Sequence, residues 1–160
     1  MLLLAAVAAA VLAVDQVTKS LAVAHLTPAQ PVRLLGPVLR LYLTRNPGAA
    51  FSTATGMTWI LTVIAVGVVV VLIRIARRLH SRAWAVTLGL LLGGALGNLR
   101  DRMLRSPGVG RGQVVDFLEL PHWPIFNVAD SCIVSAGVLV VLLTVLGFGL
   151  DGRRHRDPDA

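Results

Sequence analysis

Between Gly56 and Ile73 the chain runs for 18 residues without a charged side chain. As helix such a stretch rises about 27 Å, close to the ~30 Å of a bilayer's hydrocarbon core, so it reads as a membrane span. Inside a bilayer every backbone group must find its partner within the protein, which restricts a spanning segment here to α-helix. Three further segments share this character, at about 2–26, 83–99 and 131–150. The mean hydropathy of +0.77 and a charged fraction of 14% agree, because soluble domains carry about 25% charged residues. The expectation is an α-helical membrane protein with four transmembrane helices, forming one domain over 1–150 with a polar tail at 151–160. Regions at about 27–55 and 100–130 then lie outside the cytoplasm.

The net charge of +7 does not read as a nucleic-acid footprint, because the arginines are dispersed among apolar spans without interleaved aromatic platforms. The single cysteine, Cys132, excludes an internal disulfide and any multi-cysteine metal site, and it reads as a small buried residue. His25, His80, His122 and His155 are scattered, with no metal-binding spacing and no nucleotide or serine-hydrolase motif.

The N-terminal run MLLLAAVAAAVLAVD has the apolar core of a signal peptide but no positive n-region, so it is expected to be a retained first span. Its uncharged part, Met1 to Val14, rises about 21 Å, so DQVTKS lies in the outer bilayer or its interface. Asp15 and Lys19 stand at i, i+4 with the acid first, the better order for a helical ion pair.

From Thr27 the hydropathy falls, and Pro28, Pro31, Gly36 and Pro37 interrupt any helix. Leu39, Leu41 and Leu43 alternate with Arg40, Tyr42 and Thr44, which predicts a strand with one apolar face. Asn46-Pro47-Gly48 reads as a turn, with Ala49 and Ala50 behind it allowing close backbone approach.

Arg74, Arg77, Arg78 and Arg82 form a short basic loop with no acid among them, the pattern of a cytoplasmic connection. With Arg153, Arg154 and Arg156 in the tail, both termini are expected in the cytoplasm. Asp15, Asn46, Asp101, Asp116 and Asp130 then all fall at the outer face, although they come from distant parts of the sequence.

The third span ends in GGALGNLRDR, where glycines permit tight helix packing. Asn98 and Asp101 share a face at i, i+3, and Arg102 is placed to pair with a carboxylate. Val114 to Leu118 is expected to be a short strand that leads Asp116 back to the bilayer. Trp123 and Phe126 suit an interfacial aromatic belt. Asn127 and Asp130 share a face at the start of the fourth helix, and the tail DGRRHRDPDA is expected to be disordered.

Two carboxylates at membrane depth are costly and mark a functional site, and two that converge read as a catalytic dyad. A proton-coupled transporter would instead place such groups near the midplane on broken or repeated helices. No internal repeat is evident, and the GxGD-like motif of another aspartyl intramembrane protease type is absent.

DQVTK at Asp15, RNPGAAFS around Asn46, GNLRDR at Asn98, VVDF at Asp116 and FNVAD at Asp130 together resemble the signal peptidase II family of bacterial aspartic endopeptidases. The resemblance implies four transmembrane helices with a small extracytoplasmic β-cradle and cytoplasmic termini. It implies a catalytic pair, Asp116 and Asp130, and no metal or organic cofactor. The implied substrate-binding set is Asp15, Lys19, Asn46, Gly48, Asn98, Asp101, Arg102, Asn127 and Ala129. The implied substrate is a diacylglyceryl-modified prolipoprotein, cleaved just before its lipidated cysteine. The expected setting is the bacterial cytoplasmic (inner) membrane, with the active site near its outer face. Membrane lipid is then the remaining partner, the chain is a monomer, and no nucleic acid takes part.

Overall fold

The first apolar segment is one unbroken helix, α1 (Leu2–His25), in a computed structural model that describes residues 1–48 and 58–154. It stops just before Thr27, because the proline at 28 disfavours helical geometry in its predecessor. The order then continues as β1 (Val32–Leu35), β2 (Leu39–Asn46), α2 (Thr58–Ala76), α3 (Arg82–Leu104), β3 (Val114–Glu119) and α4 (Val128–Val145). The proposed small-residue approach at Ala49 and Ala50, the start of the second span at Gly56, and the tail from 155 onward lie outside the described residues.

Three helices, α1, α2 and α4, are long and apolar enough to cross a membrane. Only 22%, 22% and 11% of their apolar windows are buried, so most of that surface faces outward, as it does in a helix bathed in lipid. Helix α3 differs because it is enclosed, packing against α1, α2 and α4. An enclosed helix needs small residues for close approach more than apolar bulk for lipid, which accounts for its glycines and lower hydropathy. A Cβ on Gly89 would meet Val7, one on Gly93 would meet Val11, and one on Gly97 would meet Asp15 at 2.5 Å. These contacts advance along both helices together, so α1 and α3 run parallel.

The strands form one antiparallel sheet in the order β1-β2-β3. Strand β2 follows the expected alternation, with Leu43 turned into a small core of Ala22, Val115 and Phe117. Strand β1 has no comparable alternation and was not anticipated; all four of its residues are exposed, and it is held by pairing to β2.

Four boundaries differ from expectation, the first being the end of α2 at Ala76 rather than Ile73. Helix α3 continues to Leu104 and so carries Asp101 and Arg102 on its last turn. Helix α4 begins at Val128, because Asn127 and Asp130 form a capping box, and it ends at Val145 rather than near residue 150. The start of the tail is ordered: Gly149 N–H donates to the Arg153 carbonyl, and the Arg154 guanidinium stacks 5.5 Å over the Phe148 ring. Backbone hydrogen bonds from His80 and Ser81 to the Leu150 carbonyl hold this turn under the α2–α3 connection.

Candidate active site

Strand register places Asp116. In the β2–β3 ladder Thr44 faces Asp116 and Asn46 faces Val114, so Asn46 and Asp116 are diagonal neighbours on one face of the sheet. Asn46 Nδ2 donates to Asp116 Oδ2 at 3.0 Å, while Asn46 Oδ1 accepts from the Gly48 N–H at 2.7 Å. Gly48 has φ +110°, a conformation closed to most side chains, and a Cβ there would run into Leu61.

The start of α4 places Asp130. Asn127 is the N-cap, its Oδ1 accepting from Asp130 N–H at 3.0 Å, and the Asp130 carboxylate takes the Asn127 N–H at 3.2 Å in return. With its oxygen committed to the cap, Asn127 can present only its NH₂ group to the site, and it donates to Asp116 Oδ1 at 2.6 Å. One asparagine therefore joins the two carboxylates.

A third asparagine supports Asp130 from α3. Asn98 Nδ2 donates to Asp130 Oδ1 at 2.7 Å, while Asn98 Oδ1 accepts from Lys19 Nζ at 2.9 Å. The three amides share one logic. Each carbonyl oxygen is tied to a donor (Gly48 N–H, Asp130 N–H or the Lys19 ammonium), so each NH₂ is turned toward a carboxylate.

Beneath Asn98 lies a buried charge cluster. Lys19 has three ammonium protons and three partners: Asp15 at 2.9 Å, Asp101 at 3.1 Å and Asn98. Asp101 also takes Arg105 Nε at 2.6 Å and the Val115 N–H at 3.2 Å, which ties α3 to β3 next to Asp116. Asp15 accepts the Ala129 N–H at 3.0 Å and so caps α4 from another helix. Every carboxylate in the cluster is thus hydrogen-bonded as well as paired, the condition for a buried charge to be tolerated.

Asp15, Lys19, Asp101, Asn127 and Ala129 have 0% exposure, so in this conformation they support the site and offer no surface of their own. Asp130, Asn46, Asn98, Gly48 and Arg102 are half-buried. The carboxylate partner anticipated for Arg102 is absent among the described residues, and its buried Nη1 has no hydrogen-bond partner. Arg102 lies beside Gly48 and within the field of Asp116, Asp130 and Asp101.

Gln16, Arg100, Arg105 and Gly97 were missed. Gln16 Nε2 bridges Asp15 and the Gly97 carbonyl at 3.0 and 3.1 Å, and Arg100 donates to Gln16 Oε1. Arg105 follows Asp101 at i+4 and was legible by the same spacing that singled out Asp15 and Lys19. Gln16 and Gly97 carry no such signal, because the bond that joins them spans 81 residues of sequence.

Two clefts open on the carboxylates. One, of about 240 Å³, is lined by Thr44, Arg45, Asn46, Pro47, Asp116, Pro124 and Ile125. The other, of about 260 Å³, is lined by Trp123, Phe126, Asp130, Ser131, Val134 and Ser135. A larger cavity of about 430 Å³ lies between α1 and the sheet near Phe117, apolar apart from Thr18 and His25. Burial pushes the Asp116 carboxyl up to about 6; the nearby Asp130 adds to that, while hydrogen bonds from Asn46 and Asn127 oppose it. A carboxyl in that range can exchange protons near neutral pH. Among the described residues no three histidines, cysteines or acids gather as a metal-holding group.

A family model described as signal peptidase (SPase) II matches residues 7–146. The chain is similar to a lipoprotein signal peptidase of Rhodococcus jostii (strain RHA1), 58% identical over 153 residues, covering 96% of this chain and 77% of that protein. A lipoprotein signal peptidase of Mycobacterium avium (strain 104) is 55% identical over 156 residues, covering 96% and 86%. Two solved bacterial membrane enzymes share the fold. One has a TM-score of 0.78 at 25% identity, with 94% of this chain and 92% of the other covered. The second has a TM-score of 0.77 at 28% identity, covering 87% and 90%. With the family model spanning most of its length and relatives more than half identical to it, this chain belongs to the signal peptidase II family.

Proposed function

We propose that this protein is a membrane aspartic endopeptidase that removes the signal peptide from diacylglyceryl-modified bacterial prolipoproteins, cleaving before the lipidated cysteine. The observation that carries the chemistry is the clasp of Asp116 and Asp130 by Asn127, with a cleft opening on each carboxylate.

In this reading the two carboxyls share one proton. The local charge supports that count. Asp15, Asp101, Asp116 and Asp130 bring four negative charges, and Lys19, Arg102 and Arg105 bring three positive, so one proton on the pair balances the cluster. The ionised member takes a proton from a water whose oxygen attacks the scissile carbonyl carbon. The protonated member donates to the carbonyl oxygen, and on collapse the departing amine receives a proton as the C–N bond breaks. Asn46, Asn98 and Arg102 flank the extended peptide, and Gly48 lets the loop approach it. Asp15, Lys19, Asp101, Asn127 and Ala129 hold these groups in place.

The same reading makes α3 the fourth span, with residues 1–150 as one domain that works as a monomer in the bacterial inner membrane. Its support is the parallel run of α1 and α3, which brings Asp15, Lys19, Asn98 and Asp101 to one end. Arg74, Arg77, Arg78, Arg82 and Arg153 lie toward the opposite end, and this basic character supports a cytoplasmic position for that end and, in this reading, for both termini. The dyad then works near the extracytoplasmic face.

The test is a gel-shift cleavage assay in detergent, with a prolipoprotein in diacylglyceryl-modified and unmodified forms. Wild type is expected to cleave only the modified form, and Asp116→Asn and Asp130→Asn to lose nearly all cleavage while remaining folded. Wild-type-like cleavage by both variants would remove the dyad.

A further inference from the structure

Away from the carboxylates, at the far end of the bundle, Arg74, Arg77 and Arg78 stand at the C-terminal end of α2. All three are exposed, and none forms an ion pair among the described residues. Asp151, an acid of the turn that Leu150 ties to the α2–α3 connection, accepts the Arg153 backbone N–H. The three arginines and Ile75 line a cavity of about 380 Å³. Next to it a second cavity, of about 290 Å³, runs between the start of α1 and the end of α2. It is lined by Leu2, Leu4, Ala5, Ile73, Ala76 and Leu92, and Arg77 borders both cavities.

We infer that this pair of cavities is a binding site for one anionic phospholipid, with its phosphate held by Arg74, Arg77 and Arg78 and an acyl chain lying in the α1–α2 groove. Guanidinium groups match a phosphodiester in shape and in charge. An apolar groove topped by arginines that have no ion pair among the described residues complements a molecule that carries an anion on a hydrocarbon chain. Surface charge alone calls for arginines at this end but for no groove beside them. Basic pockets between membrane helices are a recognised mode of lipid headgroup binding. The site is separate from the dyad, and it needs only that this end of the bundle lie at a bilayer surface.

The test is native mass spectrometry of the full chain in detergent, titrated with phosphatidylglycerol or with phosphatidylcholine of the same acyl chains. Wild type is expected to retain phosphatidylglycerol preferentially. Arg77→Gln and Arg74→Gln should each weaken that retention roughly fivefold, the effect of about one charge near the surface. Arg153→Gln removes the same charge from the same end but lies on neither cavity, and it should change retention less than twofold. Ala5→Phe fills the groove without touching a charge and should weaken retention as well. Cleavage of prolipoprotein reports folding of each variant. Equal retention of the two lipids, an effect of Arg153→Gln as large as that of Arg77→Gln, or no effect of Ala5→Phe would each overturn the site. Displacement of the lipid by millimolar inorganic phosphate would do the same, since it would mark a free-anion site.

Discussion

Replacing Asp116 with asparagine should separate stability from activity in a pH-dependent way. Asp116 is 2% exposed, and burial pushes its carboxyl from the ordinary 3.8 up to about 6. A carboxyl with a raised value binds its proton more tightly in the folded protein than in the unfolded chain. Its contribution to stability is therefore full below about pH 3.8 and is lost as pH rises through about 6. At about 1.4 kcal/mol per pH unit, the gap between 3.8 and about 6 is worth about 3 kcal/mol. For a chain of this size that is roughly 6–12 °C in melting temperature. The amide of Asp116→Asn cannot titrate, so the variant should lack this fall. The new NH₂ must face a donor from Asn46 or Asn127, a cost of about 1–3 kcal/mol that does not depend on pH. The two melting curves should consequently converge or cross as pH is raised from 4 to 8, with the variant gaining on wild type. The check is thermal unfolding of both proteins in one detergent at several pH values. Parallel pH dependences would refute the assignment of a buried, proton-retaining carboxyl to Asp116.

Lys19→Met strands Asp15 and weakens Asp101, which keeps Arg105; loss of a partner from such a buried network should cost about 3–5 kcal/mol, read as a lower melting temperature. Adding Asp15→Asn to that variant should recover part of the loss, and a melting temperature unchanged by Lys19→Met would count against the cluster. Gly97→Ala sets a methyl 2.5 Å from Asp15 Oδ2, so about 1–3 kcal/mol of stability and much of the cleavage should go, whereas Gly137→Ala, where nothing lies within 4 Å, should leave both intact. Asn127→Ala removes both a helix cap and the Asp116 hydrogen bond; it should lower stability by about 1–3 kcal/mol and cleavage more than tenfold, measured by melting and gel shift.

The apolar runs determined by themselves that α1, α2 and α4 are helices, because lipid accepts no backbone group left unpaired. Alternation in β2 and the spacings Asp15 to Lys19 and Asn98 to Asp101 were equally legible, since local periodicity decides which side chains share a face. Fold and chemistry were further carried by five short motifs that match a family. What the sequence could not determine is pairing between segments remote from one another. Val115 and Asp101, Ala129 and Asp15, and Asn98 and Lys19 are partners only because α1, α3, α4 and β3 pack against one another. Strand β1 exists by pairing alone, Arg102 lies beside Gly48 rather than on a carboxylate, and the chain after Val145 turns back onto Phe148. The orientation of each asparagine amide is also a tertiary outcome. It depends on what holds the carbonyl oxygen, and for Asn98 that is an ammonium group 79 residues away in sequence.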